Sequence, residues 1–110
     1  MNKYRAKKTV VDGITFDSKR EALRYGELKL LEKAKVIRDL EVHPKFKLVR
    51  YPIEIKYSNG RIAVYTADFS YITNAGDVVI EDVKGVVTSE AKFRIAVFES
   101  LYKLKVSIVK

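Results

Sequence analysis

Val79-Ile80-Glu81-Asp82-Val83-Lys84-Gly85, set beside Tyr65-Thr66-Ala67-Asp68-Phe69, decides the fold. Both stretches have the β-branched and aromatic character of strands, and both carry acids in an apolar interior. A carboxylate in such a place costs several kcal/mol of desolvation unless something compensates it. Side chains alternate faces along a strand, so Asp82 and Lys84 share one face and Glu81 looks to the other. If Asp68 projects from the neighbouring strand onto the Asp82 face, two carboxylates and an ammonium meet at one point. A divalent metal is the usual compensation for converging acids, and such a group suits metal-assisted hydrolysis of a phosphodiester.

Outward from these strands, Asn74-Ala75-Gly76 forms the turn between a long strand over 61–72 and a second over 78–84. Gly85 ends the latter, and Thr88 or Ser89 caps a helix reaching about residue 102. Residues 105–109 form a closing strand that arrives through a helical crossover and therefore joins the sheet beside 78–84. Upstream, 46–49 and 53–57 read as strands separated by Tyr51-Pro52, with a hairpin turn at Ser58-Asn59-Gly60. Residues 36–42 are a short extended piece that stops before Pro44. Asp17-Ser18 opens a helix over 18–35, on which Ala22, Leu23, Leu28, Leu30, Leu31 and Ala34 recur near helical spacing. Residues 10–16 read as a hairpin turning at Asp12-Gly13, a dipeptide suited to positive φ. Residues 1–8 make a basic arm. The result is one domain over 1–110 of α/β class bordering on α+β, with helices covering a mixed sheet.

A hydrophobic fraction of 47% with 33% charged residues is that of a globular chain with a core. No apolar run approaches the ~18 residues needed to span a membrane, and no apolar stretch follows the basic start to make a secretion signal. The absence of cysteine excludes disulfides and thiolate zinc sites. With one histidine, His43, any metal is expected to be a hard ion held by oxygen, Mg²⁺ or Mn²⁺. A net charge of +8 is the electrostatic footprint of nucleic-acid binding, although many small basic proteins bind no nucleic acid specifically.

An acid-x-Lys triplet alone says little here, because the chain has five: at Asp17, Glu27, Glu54, Asp82 and Glu90. Only Asp82-Val83-Lys84 sits late in an apolar strand, before a glycine and a helix, and follows a strand with an acid in a matching position. Glu54-Ile55-Lys56 is the best decoy, lying on a strand without such a partner.

The run Thr15-Phe16-Asp17-Ser18-Lys19-Arg20-Glu21-Ala22, then Ala67-Asp68-Phe69, Glu81-Asp82-Val83-Lys84-Gly85 and Thr88, resembles the PD-(D/E)XK nuclease superfamily. More narrowly, it is similar to the small phage and prophage endonuclease-like proteins of that group. The resemblance covers roughly residues 14–109 and implies a restriction-endonuclease-like αβββαβ core. It implies a metal held by Asp68 and Asp82, with help from the Val83 carbonyl, and Lys84 positioning the attacking water. It also implies that Glu21 completes the site, and that a basic residue of the second helix, Lys92 or Arg94, approaches the phosphate. A DNA substrate and a bacterial or phage-infected cytoplasm follow from the same likeness. Some members of the superfamily have lost catalysis, so a silent DNA-binding module or a phage assembly protein is the alternative.

Each residue also has a plainer explanation. Asp82 and Lys84 could form a cross-strand ion pair, and Asp68 could be a structural acid held by several donors. Ser18-Lys19-Arg20-Glu21 fits a capping box, in which Glu21 bonds the Ser18 amide. Glu27 is the alternative helix acid, rotated about 120° from Glu21. Glu81 is expected in a surface or helix-facing ion pair. Lys92 and Arg94 could be a solvated basic face, and Lys3, Arg5, Lys7 and Lys8 either follow phosphates or form a solubilising tail. Tyr51, Tyr57, Tyr65 and Tyr71 are expected to pack in the sheet, and His43 to be a loop residue without a role. No major-groove reading module is visible, so structure-selective or low-specificity cleavage is expected. One site per chain points to a homodimer for cutting both strands.

Overall fold

The computed structural model describes residues 7–110. The hairpin of β1 (Thr9–Val11) and β2 (Ile14–Phe16) turns at Asp12 and Gly13, whose φ values of 53° and 75° are the left-handed conformation this turn requires. Helix α1 (Lys19–Lys33) starts where the Ser18 Oγ accepts the Glu21 amide. Next come β3 (Ile37–Val42), β4 (Lys45–Lys47), β5 (Val49–Arg50), β6 (Ile53–Glu54), β7 (Val64–Thr66), β8 (Phe69–Thr73) and β9 (Val78–Val83). Helix α2 (Ser89–Tyr102), capped by the Thr88 hydroxyl, leads to β10 (Val106–Val109).

The main sheet has the order β10-β9-β8-β3, with β10 parallel to β9 and the other pairs antiparallel. With α1 and α2 it makes an α+β fold whose main elements follow as α1, β3, β8, β9, α2, β10. One face of the sheet packs through Phe69 and Tyr71 against Phe16, Ala22, Tyr25 and Leu28. On the other face, Ile80 joins Tyr65, Phe98 and Leu101 under α2. Tyr65, Phe98, Tyr102 and Phe46 form an aromatic stack there, with neighbouring centroids 4.8–6.3 Å apart. Such pairs add to the area they bury.

Four expectations about elements are corrected. Residues 36–42 supply an edge strand of the main sheet, while the strands around Tyr51-Pro52 form the separate β5–β6 pair. The long strand over 61–72 is broken: β7 pairs with β4, β8 pairs with β3 and β9, and Ala67-Asp68 make the corner. The corner is held by the Ala67 amide on the Pro44 carbonyl and the His43 amide on the Asp68 carbonyl. On α1 the buried stripe is Ala22, Tyr25 and Leu28, whereas Leu23 and Leu30 lie exposed. The two leucines are seven positions apart and share a second stripe, turned away from the sheet. Of the four tyrosines expected in the sheet, Tyr65 and Tyr71 are buried, but Tyr51 and Tyr57 are exposed, because their hairpins project from the main sheet.

Candidate metal centre

The corner at Asp68 brings the acids together. Its carboxylate Oδ2 accepts the Val83 amide at 2.7 Å, and its own amide donates to Asp82 Oδ1 at 3.0 Å. Asp82 is buried, and its Oδ2 also accepts the Tyr65 hydroxyl at 2.5 Å. Burial and this carboxylate both raise the Tyr65 phenol, which stays protonated as a donor. Asp82, Lys84 and Arg94 line one small cavity of about 160 Å³ with Tyr65 and Thr66.

On the other side of Asp68 stands Glu21, 3% exposed on the first turn of α1. Its amide donates to Ser18 Oγ, but its carboxylate, expected on the Ser18 amide, turns instead to His43, with Oε1 2.8 Å from Nε2. His43 follows β3 with φ 54°, a conformation uncommon outside glycine that turns the chain back toward α1. One ligand atom from each of Glu21, His43 and Asp68 lies within 4.8 Å of the others. Donors about 2.1 Å from a common small cation lie about 3 Å apart when adjacent and about 4.2 Å when opposite, so the group must draw together to hold an ion.

The Asp68 carboxyl is pushed up to about 6. Burial is the main cause, the charges of Glu21 and Asp82 add to it, and the Val83 amide and Lys84 oppose it. A positive charge placed here relieves all three raising influences at once.

Glu81 looks away from this group, as strand alternation requires. It forms a two-pronged pair with Arg24 of α1, at 2.9 and 2.7 Å, and accepts the Tyr71 hydroxyl. Glu81 raises the already basic Arg24 guanidinium, and burial with Glu81 pushes Tyr71 up to about 12. Its oxygens are thus committed to holding α1 on the sheet.

Of the expected site residues, Glu21 and Asp68 bring ligand atoms within 4.8 Å of each other, and Asp82 and Lys84 share the adjoining cavity. Asp82 stands outside the three-residue group, linked to it through the Asp68 backbone. Val83 contributes its amide to Asp68. Arg94 lines the Asp82 cavity and pairs with Glu90, whereas Lys92 lines a different surface beside Glu99 and Val106. Lys3 and Arg5 lie outside the described residues; Lys7 and Lys8 are exposed, and Lys8 pairs with Asp17 at 3.5 Å. Glu27 is paired with Arg24 on the exposed side of α1, and Glu54 lies 3.9 Å from its own neighbour Lys56.

The residue missed from sequence is His43. Its partner is 22 positions away, and only its place between a strand and a proline hinted at a fixed turn. Beside the oxygen donors expected, the cluster offers an imidazole nitrogen as well.

Fold and site together define an α+β domain with a carboxylate–imidazole cluster at a corner of its main sheet. The chain belongs to the family described as protein of unknown function (DUF1064), whose family model matches residues 1–110. No curated protein and no solved structure matches it.

Proposed function

We propose that this protein is a divalent-metal-dependent nuclease that hydrolyses DNA phosphodiesters, acting in the cytoplasm of its cell. The observation that carries the reading is the convergence of Glu21, His43 and Asp68 beside the Asp82–Lys84 cavity. The sequence resemblance to PD-(D/E)XK nucleases and the order α1, β3, β8, β9, α2, β10 support it. The fit is better to Mn²⁺ than to Mg²⁺, because imidazole suits transition metals and magnesium prefers oxygen and water. When bound, the ion supplies Lewis-acid polarisation of the phosphoryl oxygen and eases deprotonation of water.

Glu21, His43 and Asp68 would hold the cation. Asp82, fixed by the Tyr65 hydroxyl and the Asp68 amide, keeps lone pairs free to accept from an attacking water. Lys84 donates a hydrogen bond to that water and balances the charge gathering on the phosphate. Arg94 binds the phosphate itself, and the surplus of positive charge supplies sequence-independent affinity. One centre cuts one strand, so duplex cleavage needs a second copy or a second encounter.

The test is cleavage of labelled single-stranded, duplex and four-way-junction DNA with Mn²⁺ or Mg²⁺. Asp82→Asn, Lys84→Ala and His43→Ala, each checked for folding, run beside the parent. Cutting in Mn²⁺ that Asp82→Asn and Lys84→Ala abolish is the expected result. Salt-sensitive binding with no cutting of any substrate would replace the nuclease by a binding module.

A further inference from the structure

We propose that the groove between hairpin 55–63 and α2 receives an unpaired nucleobase, so that DNA reaches the candidate centre as a single strand. The proposal rests on the nuclease reading and narrows its substrate.

The groove has a volume of about 270 Å³ and an apolar floor of Leu48, Ala63 and Val97. Tyr57 lines it from the hairpin and Phe93 from α2. Phe93 is 70% exposed and Tyr57 46%, so neither ring is spent on the core. Base faces stack on such rings without regard to sequence.

Charge selects the occupant. The Tyr57 amide bonds the Arg61 carbonyl and the Ala63 amide bonds the Ile55 carbonyl. Tyr57 therefore stands opposite Arg61, and directly opposed residues share a face of an antiparallel pair. Arg61 thus shares the hairpin face of Tyr57, just beyond the residues that line the groove. Arg94 lines the groove itself and also the cavity of Asp82 and Lys84. An apolar slot with Arg94 in its lining and Arg61 on the same hairpin face as Tyr57 matches a base flanked by phosphates. Glu90 also lines the slot and pairs with Arg94 at 3.2 Å. That pair is exposed and contributes little, so a phosphate can displace the carboxylate. A duplex keeps its base faces stacked on one another and has none to offer the rings.

Fluorescence anisotropy of the full chain in EDTA tests this with three labelled probes. They are a short single-stranded DNA, the same strand with abasic sites, and the duplex. Phe93→Ala and Tyr57→Ala are compared with the parent and with Phe93→Trp, each probe over a salt series. The parent is expected to prefer the base-bearing strand. Phe93→Ala should lose about tenfold in affinity for that strand alone, with an unchanged salt slope, and Phe93→Trp should retain it. Equal loss on all three probes, or no loss on the single strand, overturns the proposal. Phe93-dependent self-association in sedimentation would also overturn it, because a second copy would then fill the groove. Cleavage in Mn²⁺ is scored separately. Duplex cut as fast as single strand, with Phe93→Ala harmless, sinks the groove and leaves the nuclease standing. Base-dependent binding without cleavage does the reverse.

Discussion

Two acids adjacent in the chain, Glu81 and Asp82, show how much a single residue's face decides. Glu81 is consumed by Arg24 and Tyr71. Removing Glu81 leaves the part-buried Arg24 and the buried Tyr71 hydroxyl without their acceptor, so Glu81→Ala should destabilise by about 1–3 kcal/mol in urea denaturation. Asp68 behaves oppositely. Its folded carboxyl titrates near 6 against an ordinary 3.8. Its raised value means that its contribution to stability is whole below about pH 4 and is lost as pH rises through 6. Asp68→Asn should therefore stabilise the metal-free protein by about 1–2 kcal/mol at pH 8 and by nothing at pH 4, after discounting for partial exposure. The same change should abolish any metal-dependent cleavage. A gain equal at both pH values would rule out the ionised carboxylate as its source. In the parent protein, Mn²⁺ held by Asp68 and His43 would require both groups unprotonated, so calorimetric affinity should fall at least tenfold per pH unit below 6. Asp68, Asp82 and Lys84 were legible as residues because acids in apolar strands are conspicuous. His43 was not, because its meaning lies in a long-range contact with Glu21 and in a left-handed turn that local composition does not announce.

At the scale of elements, the caps read well from sequence. Ser18 and Thr88 each accept the amide three positions on, because these local bonds need only the right residue before an apolar helix. Ser18→Ala should cost about 1 kcal/mol of stability. It should also lower metal affinity, since the capped first turn carries Glu21. Thr88→Ala, with the same cap removed from α2, should reproduce the thermal loss without the metal effect. Helix boundaries, the two turns at Asp12-Gly13 and Asn74-Ala75-Gly76, and the docking of β10 beside β9 followed from the chain. The break at Ala67-Asp68 did not. Strand-like composition runs unchanged through 61–72, and only the switch of partners, from β4 to β3 and β9, forces the corner. Leu23 and Leu30 misled for a related reason: helical spacing shows that a stripe exists, and packing decides which stripe is buried.

Across the whole molecule, the sheet divides two cores, and the candidate centre occupies the corner where β7 leaves one small pair for the main sheet. A cation joining Glu21, His43 and Asp68 would tie α1, the end of β3 and that corner together. Mn²⁺ at about 100 times its dissociation constant should raise the melting temperature by about 10 °C, and His43→Ala should reduce that shift more in Mn²⁺ than in Mg²⁺. Among the described residues, no helix is long and apolar enough to cross a membrane.

The Lys84 amide is held by the Val109 carbonyl, and β9 gains its parallel neighbour only after α2 has been made. During translation, then, β9 waits as a naked border while some two dozen further residues emerge, and the lysine has no anchor on that side. The backbone at Lys84 is therefore fixed on that side only once β10 has docked. A released chain ending at Leu104 should be protease-sensitive around Lys84, and the full chain should resist.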